Sequence, residues 1–194
     1  MWIEQALGSG AIGEVYTARS TVGQYLPDWR PDRDYRETYS AIKEWGGGVI
    51  LDLTHELDYL VWWFGRVSDV AANAGRLSKL ELDVEDVAQM LLKFETGVLA
   101  QVHLDYLRKR FHRSVEVVGS EGTLRWEYNT GSVHLLKEET ETLVHQVPAD
   151  FDRNDMFLDH MRSFLRRISG TGRDEGVVPA GLDIGAEVTI REAT

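Results

Sequence analysis

Between residues 67 and 147 the chain reads as one short strand after another, and this run limits the possible folds more than any other feature. The candidate strands are 67–77, 86–94, 98–106, 113–119, 122–128, 132–137 and 142–147. Glycine punctuates the turns at Glu95-Thr96-Gly97, Ser120-Glu121-Gly122 and Asn129-Thr130-Gly131, where a residue free to take positive φ closes a hairpin. Val98, Ala100, Val102 and Leu104 alternate with Leu99, Gln101, His103 and Asp105, the period of a strand with one face against a core. Short glycine-linked strands of this kind predict antiparallel pairing.

The elements around this run are of other kinds. Residues 1–7 read as the end of a helix stopped by Gly8 and Gly10, and 12–22 as a further strand rich in β-branched and aromatic residues. Tyr25 to Arg36 carries Pro27, Pro31 and many charges and reads as a loop, with Tyr25, Trp29 and Tyr35 making it unusually aromatic. Ile50, Leu53, Leu57, Leu60, Val61 and Phe64 recur at helical spacing and predict one helix over 47–64, ended by Gly65. A second apolar stripe, from Met156 to Ile168, predicts a helix over 153–168. A glycine-rich loop over 169–177 and a last helix between Pro179 and Thr194 complete the reading. The fold class expected is α+β: a large open mainly antiparallel sheet with helices packed on one face, in a single domain over 1–194.

The formal net charge of −11 repels phosphate backbones, so nucleic acid is not an expected partner. The sequence has no cysteine, which excludes disulfides, thiolate metal sites and cysteine nucleophiles and fits a cytoplasmic protein. The first residues show no basic, then apolar, leader, and no uncharged run approaches the ~20 residues of a membrane helix; neither a signal peptide nor a membrane partner is expected.

Three patterns imitate known motifs. Gly8-x-Gly10-x-x-Gly13 has dinucleotide-fingerprint spacing, but a strand-like run follows it where a pyrophosphate site needs a helix N-terminus. Gly8 to Val15 with Ala41-Ile42-Lys43 imitates a kinase glycine loop and lysine strand, yet no His-Arg-Asp or Asp-Phe-Gly occurs. His55-Glu56-Leu57-Asp58 departs from H-E-x-x-H, because the second ligand-type residue comes three positions after His55 rather than four. No cofactor site and no metal site is expected in this chain.

The informative stretch is Gly46-Gly47-Gly48-Val49-Ile50-Leu51-Asp52-Leu53-Thr54-His55. Glycines before a helix let its N-terminus approach a neighbour closely, and its free N–H groups favour an oxygen-rich one. Asp52, His55 and Tyr59 share a band opposite the apolar stripe. A carboxylate beside an imidazole is a workable proton-transfer pair, and also what a hydrogen-bonded structural histidine looks like.

This stretch resembles the C-terminal domain of the Gfo/Idh/MocA oxidoreductases, named for glucose–fructose oxidoreductase, inositol dehydrogenase and a rhizopine-catabolism protein. Ser9 to Val15, Tyr25-Leu26-Pro27-Asp28-Trp29-Arg30, Asp34-Tyr35-Arg36, Tyr39-Ser40-Ala41 and the hairpin Val117 to Leu124 carry the likeness along nearly the whole chain. The resemblance implies an open sheet whose uncovered face makes a homodimer or higher homo-oligomer. It implies Asp52 and His55 as catalytic residues at a sugar or polyol, with NAD or NADP and a lysine supplied by a preceding nucleotide-binding domain. Tyr25, Trp29, Tyr35, Arg36 and Tyr59 are the expected substrate contacts, since rings pack on sugar C–H faces and Arg holds hydroxyls or acids. Many family members separate Asp and His by four positions; here the separation is three. No Rossmann βαβ pattern and no Glu-Lys-Pro motif occurs, so the nucleotide-binding half is expected to be absent and the chain inactive alone. The alternative is a non-catalytic ligand-binding or assembly module that retains the fold.

Overall fold

Strand β1 (Val15–Gly23) sits in the middle of the sheet although it comes almost first in the chain. The computed structural model describes residues 2–170 and 188–192. The other strands are β2 (Val67–Gly75), β3 (Val87–Phe94), β4 (Leu99–Asp105), β5 (His112–Gly119), β6 (Gly122–Glu127), β7 (Ser132–Lys137), β8 (Thr140–Gln146) and β9 (Val188–Glu192). The nine-stranded sheet runs β8-β7-β6-β5-β1-β4-β3-β2-β9. Its helices are α1 (Trp2–Gly8), α2 (Val49–Asp52) and α3 (His55–Phe64), while α4 (Arg153–Ile168) belongs to a second compact unit. This is the α+β class read from the sequence. Among the described residues no helix is long and apolar enough to cross a membrane.

The pairing is mixed. Consecutive strands from β2 to β4 and from β5 to β7 pair antiparallel; glycine turns close β3–β4, β5–β6 and β6–β7, while the longer segment 76–86 joins β2 to β3. β1 lies parallel to β4, with Ser20 opposite Val102, and antiparallel to β5, with Ser20 opposite Val115. A parallel pair needs a long crossover, and the loop, α2 and α3 between β1 and β2 provide it.

One face of the sheet carries the core. Ala18, Val22, Ala88, Met90, Leu92, Phe94, Ala100, Val102, Leu104, Val115 and Val117 are buried on it, in the apolar set of each alternating strand. α2 and α3 lie against β1, β3 and β4 and contribute Val49, Leu53, Leu60 and Phe64; the Phe64 and Phe94 rings meet edge-on at 5.4 Å. Each buried Leu or Phe contributes roughly 2–3 kcal/mol by leaving water. On the opposite face Leu91 and Leu99 remain 60% and 52% exposed.

Two sequence expectations are corrected. The helix over 47–64 is two helices, because Leu53 (φ −110°, ψ 23°) leaves helical geometry and α3 starts afresh after Thr54. The buried positions then run Val49, Leu53, Glu56, Leu60, Phe64, so a glutamate stands in the apolar stripe. The last helix does not extend over 188–192: Val188–Glu192 is a strand parallel to β2, its Val-Thr-Ile run completing the ladder from Val70 to Ala74. The expected start of that helix at Pro179, and most of the 169–177 loop, lie outside the described residues.

Candidate functional site

The glycine run works as a tight entry to α2. A side chain on Gly47 would meet the Tyr39 carbonyl oxygen, and one on Gly48, at φ 116°, would meet the Glu85 carboxylate. The Glu85 carbonyl accepts from Val49 N at 3.1 Å and Glu85 Oε1 accepts from Ile50 N at 3.1 Å. The oxygen-rich neighbour expected at this helix start is therefore the protein's own Glu85, set one residue before the fully buried Asp86.

Asp52 ends α2 and is half-buried. The Tyr106 hydroxyl donates to its Oδ2 at 2.7 Å. Tyr106 follows β4, extends the buried set Ala100, Val102, Leu104, and is wholly buried itself. Burial, then the Asp52 bond and the Asp52 and Glu85 charges, hold its phenol well above the usual range, so it stays a donor. Trp29 stands edge-on to Tyr106 with ring centroids 5.3 Å apart and donates through Nε1 to the Gln24 carbonyl at 3.3 Å. The Leu26 amide donates to the Tyr106 carbonyl at 3.0 Å. The aromatic loop is thus fastened at the residue that holds Asp52.

His55 opens α3 with its side chain 46% exposed and its Nε2 3.2 Å from Oε1 of Glu56, a fully buried residue. Tyr59 belongs to the same network, donating to Glu56 Oε2 at 2.6 Å. Burial and the Glu56 charge raise the Tyr59 phenol far above its ordinary range.

The remaining expected contacts are distributed along the loop. Tyr25 lies under the Lys109 ammonium. Tyr35 accepts from the Glu81 amide at 3.0 Å, and Arg36 pairs with Asp34 at 2.6 Å and Glu81 at 3.1 Å. Trp29 and Tyr35 line one small recess with Leu26, Arg30, Thr38 and Ser40. The structure thus ties Trp29 to Asp52 through Tyr106, and His55 to Tyr59 through Glu56; Arg36 has both carboxylates it can reach already in hand.

Sequence reasoning missed Tyr106, Glu85, Glu56, Arg113 and Ser20. Two of them were signalled. Tyr106 is the next inward position after Leu104, and Glu56 is the one acidic residue on a helical apolar stripe. A large polar residue at a core position asks what it bonds to.

The Gly8 to Gly13 stretch connects α1 to β1 and packs against the β5–β6 hairpin. Ile12 and Glu14 carbonyls accept from Glu121 N and Ser120 N at 2.9 and 2.8 Å, and a side chain on Gly13 would run into Ser120. Of the three glycines only Gly13 serves that contact, and the run leads into a strand, β1.

Comparison with known proteins agrees with this architecture. Residues 2–125 match the family model described as the GFO/IDH/MocA C-terminal domain. A 1,5-anhydro-D-fructose reductase from Ensifer adhaerens is 30% identical over 93% of this chain and 53% of its own length. The chain therefore spans about half the length of that curated relative. An oxidoreductase from Agrobacterium radiobacter, solved with NAD+, L-tartaric acid and magnesium, superposes with a TM-score of 0.69 at 22% identity, over 90% of this chain and 53% of that one. A levoglucosan dehydrogenase, solved with NADH and levoglucosan, superposes with a TM-score of 0.73 at 18% identity, over 89% of this chain and 54% of that one. With its open sheet, its glycine-led α2 and this match over most of its length, the chain belongs to the GFO/IDH/MocA C-terminal domain family.

Proposed function

We propose that this chain is the substrate-binding and dimerising half of a cytoplasmic NAD(P)-dependent oxidoreductase that acts on a sugar, a polyol or a related hydroxy compound. The observation that carries the reading is the Tyr106–Asp52 bond at 2.7 Å with Trp29 edge-on to the same ring. It leaves the second Asp52 oxygen for a substrate hydroxyl, with the half-buried Trp29 ring close by for the sugar's C–H surface. His55, exposed three residues further on, takes or returns that hydroxyl's proton. Trp29 is the substrate contact this geometry favours; Tyr25 is engaged by Lys109, Tyr35 and Arg36 by Glu81, and Tyr59 by Glu56.

The described residues do not fit a nicotinamide nucleotide. The one fingerprint-like glycine run precedes a strand and is packed against the β5–β6 hairpin. No step assigned to this chain runs through that cofactor. Calorimetric titration of the chain with NADH and NADPH is expected to give no binding, and a micromolar dissociation constant would contradict it.

The decisive experiment is kinetic. In an enzyme carrying this chain together with a nucleotide-binding domain, Asp52→Asn and His55→Ala are each expected to lower kcat/KM on sugar or polyol substrates by about 100-fold, the scale of losing a positioned proton-transfer group. Both variants within twofold of the parent, with unchanged circular dichroism, refute the assignment and favour a ligand-binding module.

A further inference from the structure

Glu56 is an ionisable side chain engaged on both oxygens within the helix-facing core. It is completely buried, and its neighbours along the same stripe are Val49, Leu53, Leu60 and Phe64. An unpaired carboxylate there would be prohibitively costly. Its oxygens are met from two strands and a helix. Arg113 Nε on β5 donates to Oε1 at 2.6 Å; Ser20 Oγ on β1 and the Tyr59 hydroxyl on α3 donate to Oε2 at 2.7 and 2.6 Å. Burial by itself would push the carboxyl up, but His55, the Arg113 charge, Tyr59 and Ser20 outweigh it and hold the group below the usual glutamate range. At neutral pH Glu56 is an anion fixed in place.

A purely structural ion pair would be complete at that point. Arg113 balances the charge, its guanidinium also sits 5.3 Å from the Trp126 ring, and two hydroxyls satisfy the second oxygen. Yet His55 Nε2 lies 3.2 Å from Oε1, beside Arg113 Nε, while the rest of that imidazole is open to solvent. An exposed histidine on the first position of a helix would otherwise sample several rotamers. The hydrogen bond made by one ring nitrogen sets which nitrogen carries the proton.

We propose that Glu56 is a positioning residue for His55: its buried carboxylate takes the Nε2–H of the ring, fixes its direction, and leaves Nδ1 to exchange a proton with the substrate hydroxyl. The assignment rests on the reading of His55 as the proton carrier. It adds that the carrier's orientation is set from inside the core, through Ser20, Tyr59 and Arg113, and not by Asp52, which is engaged by Tyr106 instead.

The test pairs a spectroscopic and a kinetic measurement on three variants. Glu56→Met combined with Arg113→Met removes both charges of the pair, so neither is left unpaired. Glu56→Gln keeps an acceptor oxygen and loses the charge. With 15N-histidine labelling of the chain, the neutral His55 ring is expected to carry its proton on Nε2 in the parent and to become a mixture of both tautomers in the double variant. In the enzyme completed by a nucleotide-binding domain, the double variant is expected to lower kcat on the order of 100-fold with KM within about twofold, and Glu56→Gln to fall between. A folded double variant whose His55 nitrogen signals and kcat match the parent overturns the proposal. If the double variant does not fold, Glu56→Gln alone decides: displaced His55 signals with reduced kcat support it, and unmoved signals with parental kcat overturn it. His55→Ala separates the two readings. Full activity in that variant removes the proton carrier and this proposal with it, whereas a dead His55→Ala beside a parental double variant removes this proposal alone.

Discussion

Replacing Tyr106 by Phe deletes one oxygen and leaves the ring, so it isolates what the Asp52 bond contributes. The ring is wholly buried, stands edge-on to Trp29 and continues the β4 core, and Phe preserves these contacts. What is lost is a hydrogen bond to a charged acceptor at 2.7 Å, about 1.5–3 kcal/mol gross. Asp52 is only half-buried, so water can replace part of the donor and the net loss is set at about 1–2 kcal/mol. For a chain of this size that corresponds to a fall in Tm of roughly 2–8 °C. Tyr106→Ala, which also empties the ring's volume, is expected to cost about 3–5 kcal/mol. Urea unfolding followed by circular dichroism, with the slope m checked for constancy, gives both numbers. A Tyr106→Phe midpoint equal to the parent, beside a large loss in Tyr106→Ala, would show that the ring matters and the Asp52 bond does not, and the site would lose its anchor.

Gly48→Ala meets both a φ of 116° and the Glu85 carboxylate, and is expected to lower stability by about 1–3 kcal/mol, while Gly8→Ala, with open space around it, leaves the Tm unchanged within error. Glu56 and Asp105 both have folded-state carboxyls held below their ordinary range, Glu56 against burial by His55, Arg113 and two hydroxyls and Asp105 against burial by His103, two backbone amides and Arg108. Their stabilisation is present above the unfolded carboxylate pKa of about 4 and disappears as the pH falls through the lower folded values, so urea midpoints should decline from pH 5 toward pH 2; a flat profile contradicts the assignment. Leu91 and Leu99 stand 60% and 52% exposed on the open sheet face, near Arg19 and Gln101 in the pairing register, and light scattering is expected to give twice the 22.0 kDa chain mass, reverting to one chain in Leu91→Glu or Leu99→Glu; a monomer in the parent refutes the dimer.

Most of the sheet was legible because each hairpin is a local decision. A glycine turn and a period-two pattern on either side are all that β3, β4, β5 and β6 need, and their observed bounds fall within one or two residues of the pattern. Pairing between distant segments leaves no such trace. Nothing in Val15 to Gly23 says that it will lie between β4 and β5, because the information resides in how well Ala18, Ser20 and Val22 fit between Ala100, Val102 and Leu104 on one side and Val115 and Val117 on the other after collapse. The same holds for β9, whose five residues are β-branched enough to be a strand but short enough to be absorbed into a helical reading.

The site shows the same division on a smaller scale. Asp52 and His55 stood out because a polar pair beside a glycine run departs from the local apolar pattern. Periodicity then placed them on one helical face, and it did so by assuming an unbroken 3.6-residue repeat. Leu53 breaks that repeat: Asp52 meets Tyr106 just after β4, and the residue after His55 turns inward to β1 and β5. Tyr106 and Arg113, which hold Asp52 and Glu56, stand 54 and 57 positions away from them in sequence, and no local pattern can name them. What the sequence did carry was a mismatch in kind, a glutamate where a leucine would continue the stripe. A buried charge is tolerated only where the fold supplies its partners, so that mismatch already required a cationic or hydroxylic neighbourhood beneath α3. Arg113, Tyr59 and Ser20 are that neighbourhood, and His55 is the one member of it left facing solvent.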